Sequence, residues 1–418
     1  MNILLINHYA GSPKYGMEFR PYYLAREWNK QGHNTLIVAG SFSHLRRQQP
    51  EKLGHDSIDG INYYWLKTLR YNGNGVKRSM SMLQFVTKLW IKRKCYLTNN
   101  QAIKQSSNQT FIPDIVIASS TYPLDIYPAK KIAKRYGAKL IYEVHDLWPL
   151  SPMVIGGYSK YHPFIWVMQQ AENYAYKHVD KVVSLLDKAF AHMQKHGLPS
   201  EKFACVPNGY DKAEWFSNNN LQLPDDHKFL FDRLKKEGKT IIGFAGGHTA
   251  STAMHIFINA AEKLQSHANL AFVLVGQGSQ KEELVEMARK KQLSNTHFLP
   301  AVPKQLIPKI ISHFDICYMG GVHSILHKYG TSFNKMTDYM LSQKPIVMSV
   351  DEPDSVVQRC GCGIQVEAEN VDQVAKAILD IASLSEEERT SMGRKGYDYA
   401  IGHLEYATLA KQFLQSIK

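Results

Sequence analysis

An α/β protein built from two doubly wound units in tandem is the fold class that these 418 residues predict, and three observations predict it. Short apolar runs alternate with stretches of helical period, and small-residue turns lie between each run and the helix that follows. The chain is too long for one ordinary core and fits two. The third observation is the stretch Lys328 to Val350, which holds the whole pattern in miniature. A Gly/Ser turn from Tyr329 to Ser332 enters a helix whose first turns carry Asn334, Lys335 and Asp338, and Lys344-Pro345 then feeds the apolar run Ile346 to Val350. Backbone N–H groups in such a loop can approach an anion, and the positive end of the helix dipole favours the same charge. Lys335 adds a movable cation, and Asp338 offers a carboxylate suited to the paired hydroxyls of a ribose. A nucleoside diphosphate would fit this arrangement.

Composition narrows the class further. A hydrophobic content of 44% and a charged content of 21% belong to a water-soluble globular chain. No window approaches the roughly 18 consecutive apolar residues of a membrane-spanning helix, and Met1 to Asn7 starts like a strand without a basic leader, so a cytoplasmic protein is expected. The 5 cysteines are odd in number and scattered, which supports neither a zinc site nor a disulfide framework. The net charge of +13 is unevenly placed: residues 1–220 hold 28 Lys+Arg against 15 Asp+Glu, and residues 221–418 hold 22 of each. The first half is therefore expected to face something anionic.

Along the chain, Asn2 to Asn7 is an apolar run, His8 to Pro13 is rich in turn residues, and Phe19, Tyr23, Leu24 and Trp28 recur at helical spacing up to Lys30. Gly32-His33 precedes a strand over Thr35 to Ala39. The first turn lacks G-x-G-x-x-G, which argues against a nicotinamide enzyme. Residues 41 to 110 read as basic and irregular apart from the apolar segment Ile61 to Leu66. Within them Val76, Met80, Leu83, Val86, Trp90 and Leu97 fall broadly on one helical face, with Lys77, Arg78, Lys88, Lys92, Arg93 and Lys94 around them. A basic helix with Trp and Leu on its apolar side is the pattern of an interfacial membrane contact, and equally that of a core helix with a solvated far side. No DNA- or RNA-binding signature accompanies the charge.

Asp114 to Ala118 reads as a buried strand, Leu124 to Tyr136 as a helix closed by Gly137, and Lys139 to Val144 as the next strand. His145-Asp146-Leu147-Trp148-Pro149 follows at that strand's end. Ligands in open α/β sheets bind beyond the carboxyl ends of strands, so His145 and Asp146 are well placed for chemistry. Helix is predicted over Tyr161 to His178 and strand over Lys181 to Leu186, and Asn208-Gly209 is a turn at the expected domain boundary. Residues 216 to 238 read as a polar linker. Thr240 to Ala245 then opens a second unit, and Gly246-Gly247-His248 ahead of a helix is a second candidate phosphate cradle. Leu270 to Val275 with Gly276, His297 to Pro303, and Phe314 to Tyr318 continue the alternation, and the tail from Leu404 to Ile417 is helical.

The run F-N-K-M-T-D-Y-M-L-S-Q-K-P-I-V resembles the donor-site helix of the retaining family 4 glycosyltransferases, nucleotide-sugar enzymes of GT-B fold. V-P-N-G-Y-D, L-V-G-Q-G and D-L-W-P match further family segments in order, so the resemblance covers nearly the whole chain. It implies two Rossmann-like doubly wound domains facing a central cleft: an acceptor-binding domain over 1–210, a nucleotide-sugar domain over 211–400, and a C-terminal helix over 401–418 crossing back. It assigns His145, Asp146 and Lys335 to catalysis. Donor binding goes to Gly11, Gly16, Arg20, Gly246, Gly247, His248, Gly276, Val302, Gly330, Thr331, Ser332, Asn334 and Asp338. Two departures stand out. The family's first acidic residue falls on Gly330, so backbone amides of Gly330 to Ser332 are expected to act in its place, and the usual Arg/Lys pair near the second cradle is replaced by His248.

The function this implies is transfer of a sugar from a UDP-sugar to a hydroxyl of a lipid-linked saccharide, with retention, in bacterial surface polysaccharide synthesis. The match is nearest to O-antigen and capsule enzymes that move N-acetyl-fucosamine-type sugars. UDP-sugar would be a co-substrate, no D-x-D motif calls for an obligatory metal, and the enzyme would sit peripherally on the inner face of the cell membrane. A nucleotide-sugar 2-epimerase, which shares the fold, and a catalytically impaired nucleotide-sugar-binding protein remain open.

Overall fold

The apolar runs become parallel strands buried on both faces, which is why they read as near-continuous hydrophobic segments rather than alternating ones. The computed structural model describes residues 1–73, 75–98, 110–217 and 221–417. It divides into an N-terminal unit, Met1–Asn208 with Tyr406–Lys418, and a C-terminal unit, Gly209–Glu405.

The N-terminal unit carries β1 (Asn2–Ile6), β2 (Asn34–Gly40), β3 (Gly54–Ile58), β4 (Ile61–Leu66), β5 (Ile115–Ala118), β6 (Lys139–Val144), β7 (Lys181–Ser184) and β8 (Phe203–Cys205). They form one sheet in the order β3-β4-β2-β1-β5-β6-β7-β8, parallel except for the β3–β4 hairpin. Strand order reverses between β1 and β5, and this switch point opens a crevice at the strands' carboxyl ends. The helices used below are α1 (Arg20–Lys30), α2 (Val76–Ile91), α3 (Ile126–Tyr136), α4 (Leu150–Gly156) and α5 (Pro163–His178). Pro21 sits in the first turn of α1, and Gly137, left-handed at φ 68, ends α3.

The C-terminal unit carries β9 (Thr240–Ala245), β10 (Leu270–Val275), β11 (Thr296–Leu299), β12 (Ile316–Gly320), β13 (Ile346–Ser349) and β14 (Gly363–Val366) in the all-parallel order β11-β10-β9-β12-β13-β14, with its switch between β9 and β12. Its helices include α6 (Met254–Lys263) and α7 (Asn334–Leu341). The terminal helix α8 (Tyr406–Ser416) belongs to the N-terminal unit and packs on α1. Trp28 Nε1 donates to the carbonyl of Ala410 at 2.9 Å, Tyr23 stacks on Tyr406, and Phe413 meets Trp28 edge-on.

Three expectations are corrected. Residues 41–110 are not irregular throughout: β3 pairs with β4 through Asp59-Gly60, both at positive φ, the Asp-Gly turn chemistry that favours a tight hairpin. The segment read as a linker contains a helix, Asp225–Lys236, whose Leu230, Phe231 and Leu234 are buried, with Phe231 stacked on His313. Their i, i+1, i+4 spacing was the available signal. Finally, α2 has two apolar sides: Met82, Phe85 and Leu89 are buried, while Val76, Met80, Leu83 and Ile91 are exposed. Val86 packs against the buried cluster and Leu97 is fully buried, so neither belongs to the exposed side.

Because α8 covers Trp28 and Tyr23, removing residues 406–418 strips an apolar face from the opposite end of the chain. The truncated protein is expected to lose the N-terminal unit's cooperative melting transition. Trp28→Ala alone should cost about 3–5 kcal/mol, read by denaturant titration.

Candidate active site

Two sets of polar groups lie at the carboxyl ends of the two sheets, and each is built within its own unit. In the N-terminal unit Glu143, the penultimate residue of β6, is fully buried and paired with Arg20 of α1 at 2.9 Å. The other guanidinium nitrogens of Arg20 donate to the carbonyls of Pro207 at 2.6 Å and Val206 at 2.8 Å. On the far side of the carboxylate, Ser119 at the end of β5 donates to Glu143 Oε2 at 2.5 Å, and His145 Nε2 lies 3.2 Å from the same oxygen and 3.0 Å from Ser119 Oγ. Burial by itself pushes the Glu143 carboxyl up, but Arg20, His145 and Ser119 outweigh it and hold the group at about 2. Burial lowers His145, yet the hydrogen bond and charge of Glu143 raise it above its ordinary value. The result is an imidazole locked in orientation by a carboxylate, at the ligand-binding end of the sheet. Asp146 beside it is exposed.

Arg20, expected at the donor, is 1% exposed with its donors committed to Glu143 and two carbonyls. It is a structural tie and is not open to a ligand. Gly11 and Gly16 close the first loop on itself: a Cβ on Gly11 would lie 1.9 Å from the Gly16 carbonyl oxygen. That contact accounts for the glycine at 11.

In the C-terminal unit the turns after β9 and β10 press against each other. A Cβ on Gly276 would stand 1.9 Å from the Gly246 carbonyl oxygen, and one on Gly278 would stand 2.2 Å from that of His248. Lys335, on the first turn of α7, lies with its ammonium 4.2 Å from the Phe244 ring centroid, so close to Gly246 that a Cβ there would meet Nζ at 2.9 Å. Burial pulls Lys335 down to about 8. Burial raises Asp338, one turn on, to about 6, with Lys304 and Lys335 holding it from going higher. His248 is fully buried and both its ring nitrogens lack a protein partner. Burial first, then Lys281 and Lys335, lower it to about 4, so it is a neutral ring at neutral pH. Gly247 follows Gly246 in this turn, while Val302 lies beyond β11, the edge strand.

Gly330 has φ 95, a backbone that disfavours any side chain, which explains why no acid occupies that position. A carboxylate arrives from elsewhere: Glu352, in the segment after β13 and 3% exposed, accepts a hydrogen bond from Thr331 Oγ1. Ser332 is half-buried and Asn334 exposed. Sequence reasoning missed Glu352 and also Lys281, whose ammonium donates to the carbonyls of Gly276 and Leu299. Neither lies in a motif, and only the tertiary fold brings them to these loops.

Of the basic helix, Lys77, Lys92 and Lys94 are exposed, while Lys88 is half-buried and donates to the Lys67 carbonyl at 2.7 Å. Trp90 is a correction: its ring is half-buried with the Arg93 guanidinium 3.9 Å from its centroid and Lys131 at 5.5 Å, so it does not project from the surface. Arg78 lies over Tyr9 and Trp148. Among the described residues one group has metal-ligand spacing, Glu172 with His192 and His196, and it is tied up in hydrogen bonds with Gln169, Asn173 and Tyr176. No helix among them is long and apolar enough to cross a membrane.

Two family models match this chain: a glycosyl transferase 4-like domain over residues 15–209 and glycosyl transferases group 1 over residues 239–383, together most of its length. The chain carries the two domains of a glycosyltransferase, the 4-like one in its first half and the group 1 one in its second. Each unit has the parallel α/β sheet of the GT-B fold. Among curated proteins it is similar to the putative colanic acid biosynthesis glycosyl transferase WcaI of Escherichia coli K12, 22% identical over 306 residues, 69% of each chain. Among solved structures it resembles HepE of Anabaena in complex with UDP and glucose, with a TM-score of 0.65 at 14% identity over 100% of this chain and 99% of that one. WaaG, a glycosyltransferase involved in lipopolysaccharide biosynthesis, gives 0.65 at 13% identity over 100% of both chains.

Since Glu143 raises His145, Glu143→Gln should lower the pKa of His145, measured by NMR titration of its ring protons. The carboxylate also links stability to pH. Its folded pKa of about 2 lies below the ordinary carboxyl value of 4.5, so its contribution is complete above about 4.5 and disappears as pH falls towards 2. The wild type is expected to lose stability across that window, and Glu143→Gln to lose less of it, in urea titrations at stepped pH.

Proposed function

We propose that this glycosyltransferase moves a sugar from a UDP-sugar to a hydroxyl of a lipid-linked saccharide, with retention of anomeric configuration, in the synthesis of a bacterial surface polysaccharide. The observation that carries the donor half is the pair of abutting glycine turns after β9 and β10 with the Lys335 ammonium lying on them. Backbone N–H groups of those turns and of Thr331 and Ser332, with Lys335, would bind the diphosphate, and Asp338 the ribose. His248, neutral and without a protein partner, would donate to or accept from the bound donor rather than neutralise it. Glu352 is the carboxylate we assign to the donor sugar's hydroxyls, in place of the side chain that Gly330 lacks. HepE, a structural neighbour, binds UDP and glucose, which supports this reading of the donor.

In the reaction the bond between the anomeric carbon and the diphosphate oxygen breaks, the acceptor oxygen bonds to that carbon on the same face, and the acceptor's proton passes to the departing diphosphate. Lys335 and the loop amides would stabilise the charge on the leaving group, the dominant contribution for such a site. His145, held by Glu143, would orient the acceptor in the N-terminal unit. No step calls for a metal, so EDTA should leave the rate unchanged. The likeness to WcaI supports a surface polysaccharide as product, and an N-acetyl-fucosamine-type sugar is the donor we favour. Contact with the inner face of an anionic membrane would use the exposed side of α2, Val76, Met80, Leu83 and Ile91, with Lys77, Lys92 and Lys94.

Lys335→Ala should weaken UDP binding about 10- to 100-fold, the worth of one charge-assisted hydrogen bond to phosphate. Glu352→Gln should leave UDP affinity unchanged and weaken UDP-sugar about tenfold. Calorimetry with UDP and a panel of UDP-sugars reads both, and equal effects of Glu352→Gln on the two ligands would remove that assignment. For the membrane, flotation with phosphatidylglycerol vesicles should fall when Val76 and Leu83 become Ser, and again when Lys77, Lys92 and Lys94 become Glu.

A further inference from the structure

Beyond the His145 cluster, the carboxyl ends of β1, β2, β4 and β6 bring together a second polar group that the donor chemistry does not use. Arg78, on the first turn of α2, lies with its guanidinium 5.6 Å from the Tyr9 ring centroid and 6.0 Å from that of Trp148. Its Nε lies 3.5 Å from the Tyr9 hydroxyl. His44, exposed in the loop after β2, bonds through Nδ1 to the Tyr71 hydroxyl at 2.9 Å and meets Tyr9 edge-on. Buried Arg46 adds charge: its Nε and Nη1 donate to the carbonyls of Ala10 and Gly40, and its Nη2 has no protein partner. The charges acting most on buried His8 are those of Arg46, Arg78 and His44, and on His44 that of Arg78, so the local potential is positive. A guanidinium in a positive field beside aromatic rings is the chemistry that recognises a phosphate.

An apolar surface starts at the same place. Val76 and Met80, on either side of Arg78 in sequence, are 76% and 50% exposed, and Leu83 and Ile91 extend that side along α2. Phe164 of α5 meets Trp148 edge-on, and exposed Tyr161 and Trp166 flank it in sequence. A ligand matching both features has a phosphate at one end and a hydrocarbon chain at the other.

We infer that Arg78 and His44, over Tyr9 and Trp148, bind the phosphate or diphosphate that joins an acceptor saccharide to its lipid, with the lipid running along the exposed side of α2. This rests on the reading of the acceptor as lipid-linked, and it makes the N-terminal unit select the anionic linkage as well as the sugar. An anionic bilayer lipid offers the same phosphate chemistry, and the experiment separates the two.

The full chain, saturated with UDP to occupy the donor loops, is titrated with geranyl diphosphate, inorganic diphosphate and phosphatidylglycerol vesicles, as wild type, Arg78→Gln, Arg78→Lys and His44→Ala. Geranyl diphosphate should bind at least tenfold tighter than inorganic diphosphate. Arg78→Gln should weaken it about tenfold or more with UDP affinity and melting temperature unchanged, Arg78→Lys should restore part of the loss, and His44→Ala should weaken it less. Equal affinity for the two diphosphates overturns the lipid part. Geranyl diphosphate binding that ignores Arg78→Gln overturns the site, as does a loss confined to the vesicles, which would assign Arg78 to the bilayer. Failure of the wild type to bind UDP would sink the donor reading alone, because the Arg78 comparison does not depend on it.

Discussion

The buried pair of Arg20 with Glu143 is the tie on which the N-terminal unit's polar architecture depends. A lone carboxylate at full burial is costly, and a lone guanidinium is too. Together they connect α1, the end of β6 and the carbonyls at Val206 and Pro207, where the chain leaves the unit. The second oxygen of the same carboxylate holds Ser119 and His145. One group thus carries both stability and the orientation of the imidazole, so His145 is stiff because the fold needs Glu143 where it is. Arg20 looks like a ligand-binding residue in sequence, but the structure uses it as an anchor.

The C-terminal unit meets its constraint with backbone rather than with ion pairs. Where two glycine turns come within contact distance there is room for a lysine ammonium against them, and a side chain at Gly276 would destroy that approach. The site keeps two cations of lowered pKa, Lys335 and Lys281, a neutral buried imidazole and two carboxyl groups, Asp338 and Glu352, reached from different elements. In the proposed reading such a set would bind a neutral sugar and a charged diphosphate with separate groups, the separation a sugar-nucleotide transferase needs.

Helix α2 shows how one amphipathic pattern can serve two surfaces. Its core side, Met82, Phe85 and Leu89, holds it to the N-terminal unit, and its other side leaves Val76, Met80, Leu83 and Ile91 in solvent beside exposed lysines. A helix this apolar on both sides is expected at an interface. Arg78 lies at its beginning, where the carboxyl ends of the strands come together.

By itself the sequence determined the alternation of strand and helix, the parallel sheets and the glycine turns, because these follow from local spacing: continuous apolar runs for buried strands, helical period for their covers, and small residues where backbones must meet. It also marked His145 and Lys335 as candidates by their position just after a strand or at a helix start. It misread the helix Asp225–Lys236 as a linker, because only three of its apolar residues, with His227, face the core, and it did not show that α2 buries one apolar side and exposes another, because a period of 3.6 does not say which side finds a partner. Tertiary structure alone decided that Arg20 would spend its charge on Glu143, 123 residues away, and that Glu352 would reach the Gly330 loop. Contacts between residues distant in the chain depend on how strands are ordered in the sheet, and that order is a property of the packed fold and leaves no local signal.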